Sequence, residues 1–168
     1  MPATYEPIAT TTLTSEVANI TFSSITGTYT DLRLVLVGVK PSATNVGARV
    51  QFNSDTATNY SWTYISGNGT AASSSRQTSD TSLPLITFAV ITTTSPHMGV
   101  MDIMSYSGST NKTSLITESS DRNGSGVTAR TVGLYRSTSA ITSIKIFDDS
   151  ARNFGVGTTA TLYGILKA

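Results

Sequence analysis

The chain has 168 residues, a net charge of +1 and no cysteine, with 38% apolar and only 12% charged residues. That length suits one domain with a real core; the absence of a basic run argues against nucleic acid, and the absence of thiols removes disulfides and thiolate metal sites. No apolar run approaches the roughly 18 residues of a membrane helix. The N-terminus MPATYEPIATTT lacks the basic start and apolar core of a signal peptide, so the expectation is synthesis in a cytoplasm and release by a route such as lysis.

Ser and Thr make up about a third of the residues and helix formers are sparse, which predicts an all-β chain with negligible helix. Residues 1–12 read as an irregular arm, because Pro2 and Pro7 block regular pairing. The arm carries Tyr5 and Ile8 and either packs on its own domain or docks on a neighbouring subunit. Ile20 and Phe22, two apart, mark a strand over 17–25. LRLVLVGV (32–39) is the most strand-like run and reads as a central strand covered on both faces, stopped by Lys40 and Pro41. ARVQFN (48–53) alternates with Val50 and Phe52 inward. After a polar loop at 53–59, YSWTYI (60–65) places Tyr60, Trp62 and Tyr64 on one face, and residues 66–80 read as a long loop.

LPLITFAVI (83–91) reads as a buried strand, 92–96 as a turn, and 98–106 as a strand with Met101 and Ile103 on one face. Asn123-Gly124 within 121–126 is a hairpin signal, so 113–135 reads as one hairpin. The end, 141–168, holds two strand-like runs joined by one loop: Ile144, Ile146 and Phe147, then Leu162, Tyr163, Ile165 and Leu166. The tail is expected to close the sheet, since an unpaired terminus frays. About nine strands separated by turn signals predict a single-domain antiparallel β-sandwich, jelly-roll-like.

Chemistry-bearing constellations are few. His97 is the only histidine and Asp102 its nearest carboxylate in sequence, but no G-x-S-x-G motif accompanies them, and a loop-edge histidine is the plainer reading. Asp148 and Asp149 are adjacent, so on a strand they would face opposite ways and in a turn they are ordinary turn residues, not a glycosidase pair. Asp121, Asn123, Ser125 and Gly126 match the opening of an EF-hand loop, but position twelve is Val132 where a bidentate Glu is needed. Zinc lacks ligands. No catalytic residue, metal or cofactor is therefore expected. Tyr60, Trp62 and Tyr64 either fill the core or form a platform on which sugars stack, the first being the commoner use of alternate strand residues.

Four segments speak together: YEPIATTTL (5–13), ITFSSITGTYTDLRLVLVG (20–38), VQFNSDTATNYSWTYISG (50–67) and ITSIKIFDDSARNFGVGTTATLYGI (141–165). They resemble a family of small β-rich proteins of tailed bacteriophages, including cyanophages, across most of the chain and less so over 70–140. The resemblance implies a non-enzymatic virion surface protein, as a head decoration (cement) protein or a fibre knob. It further implies a homotrimer bound to the major capsid protein, a docking arm over 1–12 with Tyr5, Pro7 and Ile8 in contact, and a sandwich domain over 13–168. The alternative within the resemblance is a fibre module that binds host-surface glycan through Tyr60, Trp62, Tyr64 and the loops 53–59 and 66–80.

Overall fold

The computed structural model describes residues 4–38, 47–87, 97–122 and 125–166, with side chains described outside 120–125. Twelve strands follow in order: β1 (Tyr5–Thr12), β2 (Asn19–Phe22), β3 (Asp31–Val37), β4 (Ala48–Phe52), β5 (Tyr60–Gly67), β6 (Ala72–Asp80), β7 (Leu83–Ile86), β8 (Met98–Ile103), β9 (Lys112–Arg122), β10 (Ser125–Tyr135), β11 (Ile144–Asp148) and β12 (Thr159–Ile165). They form two antiparallel sheets packed as a sandwich. One has eight strands in the order β1-β12-β3-β8-β9-β10-β5-β6 and the other four, β2-β11-β4-β7.

The all-β sandwich is the expected class, with twelve strands where about nine were expected. Two stretches expected to be irregular account for most of the difference. Residues 5–12 are not an arm but edge strand β1, paired with β12 from Tyr5↔Ile165 to Thr12↔Thr159. Pro7 is tolerated because an edge strand needs partners on one side only, and the register slips between Pro7 and Ala9 at a bulge. Thr10 and Thr12 meet Thr161 and Thr159 through hydroxyl contacts of 3.1 Å, a cross-strand pairing that Thr-rich strands favour. Residues 72–80, expected within a loop, form β6. Asn68 shapes the turn before it by accepting from the Thr70 and Ala71 amides, and Gly69 supplies φ +82°. The Ser-rich composition suggested a loop because β6 buries no face at all.

The two runs of the C-terminal segment belong to opposite sheets rather than to one closing pair. β11 lies between β2 and β4, and β12 between β1 and β3, so the tail is held on both sides. The 113–135 hairpin is present as β9–β10, in unbroken register from Ser125↔Arg122 to Tyr135↔Lys112. The expected stop at Lys40–Pro41, the turn at 92–96 and the Asn123-Gly124 dipeptide lie outside the described residues.

One continuous core fills the space between the sheets. Leu32, Leu34 and Leu36, Met101 and Ile103, Ile116, Tyr135 and Leu162 come from the large sheet; Ile20, Phe22, Val50, Phe52, Leu83, Ile144 and Ile146 come from the small one. The period-2 pattern of β3 has one face fully buried, but its other face, Arg33, Val35 and Val37, is not covered as expected. Two glycines make room for close neighbours, one between the sheets and one against the segment before β3. A Cβ on Gly133 would lie 2.8 Å from Leu83 Cδ1, and one on Gly164 only 2.3 Å from the Tyr29 ring. Asn53 leaves β4 at φ +53°, and its side-chain oxygen accepts from the Thr142 and Ser143 amides, which fixes the approach to β11.

Candidate functional site

A four-stranded sheet covers one face of an eight-stranded one, so the outer face of the large sheet carries no second layer among the described residues. The pleat sends alternate residues to that face. Ladder registers place Tyr163, Arg33, Asp102, Leu115, Val132 and Thr63 in one row across it, and Val35, Val100, Thr117, Arg130, Ile65 and Ser74 in the next. Of the seven large apolar residues exposed among those described, Tyr5, Val37, Ile65, Met98 and Val132 lie on this face, and Met104 follows directly at the end of β8. Ile65 and Val132 are the most open, at 63% and 57% exposure. Along β5 runs an open groove of about 570 Å³ bounded by Ile65, Gly67, Ala72, Thr128 and Arg130, continued by one of about 250 Å³ at Thr63, Arg76 and Val132.

Of the charges on this face, Arg33 and Asp102 are paired in place, while Arg76 and Arg130 stand exposed. Arg33 donates to both Asp102 oxygens at 2.6 and 2.9 Å and lies 5.3 Å from the Tyr5 ring centroid. The hydrogen bond that Arg33 donates to Asp102 raises the Arg33 pKa further. The result is a surface on which apolar and hydroxyl side chains are mixed, with one locked ion pair and two exposed arginines toward the β6 edge.

The expected aromatic face points the other way, into the sandwich. Tyr60 is fully buried. It stacks on Tyr135 at 4.8 Å, and its hydroxyl receives the Phe52 amide at 3.0 Å. Burial pushes its phenol well above the ordinary tyrosine range. Trp62 packs on the edge of the core and stacks on half-buried Tyr64 at 5.8 Å. The Trp62 indole donates to Asp80 Oδ2 at 2.7 Å. The Arg49 guanidinium also grips Asp80, at 2.5 Å, and it bonds Ser82 Oγ at 2.9 Å. Burial pushes the Asp80 carboxyl up, but Trp62, Arg49 and the Thr81 amide outweigh it and hold the group below the usual carboxylate range. This clamp sits where the chain leaves β6 for β7 and so crosses between sheets. Tyr60 is thus a core residue, while Trp62 and Tyr64 remain partly open at the overhanging end of the large sheet.

Tyr5 and Pro7 occupy the outer face through β1 beside Ile165 and Tyr163, whereas Ile8, at the bulge, packs on the core. The loop 53–59 is a compact turn: Asp55 accepts from the Ala57 amide, from Asn59 and from Tyr135. His97 directly precedes β8, at the loop edge expected of it, and is buried, while Asp102 is engaged with Arg33 on the outer face. Asp148 ends β11 as a turn residue, accepting from the Ser150 amide and pairing with Arg152. No group of three or more His, Asp or Glu side chains among the described residues could hold a metal. Lys112 is buried, and its ammonium donates to the Gly108 and Thr110 carbonyls, which fastens the turn before β9.

Sequence reasoning missed Ile65, Val132, Arg76 and Arg130. The available signal was parity: a large β-branched residue at the solvent position of a strand whose other face is already aromatic, as Ile65 is beside Trp62 and Tyr64.

No family model matches the chain, and no curated protein matches it. Among solved structures, the chain is similar to the marine PL-14 alginate lyase from Aplysia kurodai, at 11% identity and a TM-score of 0.37, over 86% of this chain and 72% of that one. A likeness of this size carries no activity across to this chain.

Proposed function

We propose that the chain is a non-enzymatic structural protein of a tailed-phage virion, of the capsid decoration type, which docks on the head shell through the outer face of its eight-stranded sheet. The observation that carries this reading is the gathering of the exposed apolar side chains on that one face. Scattered apolar residues need no explanation; their concentration on one face does. Eight strands about 4.8 Å apart and some seven residues long offer roughly 850 Å² of surface, close to the ~800 Å² per partner of a stable interface. Burying the exposed parts of Ile65 and Val132 would contribute about 1–2 kcal/mol each. The Arg33–Asp102 pair is matched within the face, and the exposed Arg76 and Arg130 ask for acidic partners on the shell.

The test is a double variant, Ile65→Asp with Val132→Asp, added to purified heads that lack the protein. We expect an unchanged circular dichroism spectrum and at least tenfold weaker binding in co-sedimentation. Binding at wild-type affinity would remove the outer face from the interface. A second reading, a glycan-binding fibre module, is favoured by the partly open Trp62–Tyr64 stack beside the Ser66 and Ser73 hydroxyls. It predicts that Tyr64→Ala abolishes adsorption to host cells, and it fails if the wild-type protein displayed on beads does not adsorb.

A further inference from the structure

The two sheets have four edges among the described strands, and three of them are guarded. β1 carries Pro7 and a bulge. β2 is four residues long, and β7 is four residues long with Pro84 second and a register slip against β4. β6 is different. It has nine residues, with neither proline nor lysine, and every residue from Ala72 to Ser79 is exposed. Its segment 72–77 pairs with β5 in unbroken register, from Gly67↔Ala72 to Trp62↔Gln77, so its outward edge is straight over six residues. A straight, open edge offers a row of unpaired N–H and C=O groups, and proteins that must not extend a sheet blunt such an edge.

We propose that β6 pairs antiparallel with β6 of a second copy about a two-fold axis normal to the sheet, joining two eight-stranded sheets into one. The composition of the strand supports a like partner. With the axis at Ser74, Ser74 faces its own equivalent, Ser73 faces Ser75, and Arg76 faces Ala72. Side chains opposite one another are then small, and the cation meets no like charge, which is what antiparallel neighbours require. The contact is isologous, so it closes at two copies and does not propagate into a filament. β6 ends the strand order of the large sheet and is exposed on both faces, so among the described residues nothing pairs with its outward edge. Where the resemblance to phage proteins implies three copies, this edge points to two. The pairing stands whether or not the outer face docks on a shell, since it uses main-chain groups at the rim.

The experiment is sedimentation equilibrium of the full chain against concentration, with three variants. Ser74→Lys sets two ammonium groups face to face on the axis. Ser74→Pro and Ser75→Pro each remove one N–H, and because adjacent strand N–H groups point to opposite sides, one of the two leaves the β5–β6 hydrogen bonds intact. We expect the wild type to approach twice 17.6 kDa as concentration rises. Ser74→Lys and the properly folded proline variant should have dissociation constants at least tenfold higher. A wild type that stays monomeric, a mass of three copies, or folded variants that dimerise as the wild type does would each overturn the proposal.

Discussion

Replacing Asp80 by alanine probes the clamp that holds β6 against the small sheet. The Arg49 and Asp80 side chains are 15% and 19% exposed, so the pair lies between a surface ion pair, worth at most about 1 kcal/mol, and a fully buried one, whose disruption costs about 3–5 kcal/mol. Arg49 keeps Ser82 Oγ and the Ser82 carbonyl, which limits the damage, but the Trp62 indole N–H loses its acceptor. The expected loss is about 2–3 kcal/mol at neutral pH, of which roughly 1 kcal/mol belongs to the Trp62 bond. Asp80→Asn, which keeps an acceptor oxygen but not the charge, should lose less. The pH dependence has a definite sign. The folded-state pKa is depressed, so the contribution is complete above the unfolded value near 3.9 and is lost as pH falls through the folded value. The wild type should therefore lose this part of its stability below about pH 4, while Asp80→Ala, already without it, has a flatter acid limb. Urea unfolding followed by the fluorescence of Trp62, the one tryptophan of the chain, reads the site directly. A variant within about 0.5 kcal/mol of wild type at pH 7, or with the same acid slope, would refute the account.

Gly164→Ala should cost about 2–3 kcal/mol or more, because the new methyl would sit inside the Tyr29 ring and the Tyr29 amide is bonded to the Tyr106 hydroxyl. Removing the ring with Tyr29→Ala should make the glycine substitution nearly neutral in the double variant, and a denaturation cycle that gives additive losses would contradict the contact. Burial raises the pKa of Tyr60, Tyr106 and Tyr135, so their neutral forms contribute stability that is present below about pH 10 and lost as pH rises through the folded values. A phenolate absorbance titration should show these three ionising late and together with unfolding. Three early, reversible ionisations from the folded state would count against their burial.

The period of two carried most of the fold. In β3, β4, β8 and β12 the large residues repeat at alternate positions because a buried face selects them, and those strands were legible. β6 was not, because a strand that buries nothing leaves no apolar pattern and its Ser-rich run has the composition of a loop. β1 was hidden by Pro7, whose prohibition on pairing applies to interior strands and not to an edge at a bulge. Assignment of β11 and β12 to different sheets was also beyond local pattern, since both alternate alike and only the partners differ. The outer face was half legible. Parity set Ile65 and Val132 opposite the core, but knowing that no described element covers them requires knowing that the second sheet, among the described residues, has four strands on the other face.

That β1 is a strand changes what truncation of the N-terminus tests. Deleting residues 2–10 would remove a free arm at little cost if the segment only docked elsewhere. In the structure it strips the ladder from Tyr5↔Ile165 to Thr10↔Thr161, uncovers the packing of Ile8, and turns β12 into a bare edge. With several main-chain hydrogen bonds at about 0.5–1 kcal/mol each and the partial burial of one isoleucine, the loss should be about 3–5 kcal/mol. The exposed edge of β12 is regular from Thr159 to Ile165 and has no proline, so the truncated chain should also form species larger than the wild type. Urea denaturation and light scattering measure both effects, and a truncated chain with unchanged midpoint and mass would return residues 2–10 to the status of an arm. Docking is better tested by Tyr5→Ser with Pro7→Ser. These side chains lie on the outer face and leave the β1 ladder in place. The Tyr5–Arg33 contact is worth about 0.5–1 kcal/mol, so this pair should cost no more than that in stability. If the outer face binds the shell, the same pair should weaken head binding. If it leaves head binding unchanged, the interface does not reach β1 and must centre on Ile65 and Val132.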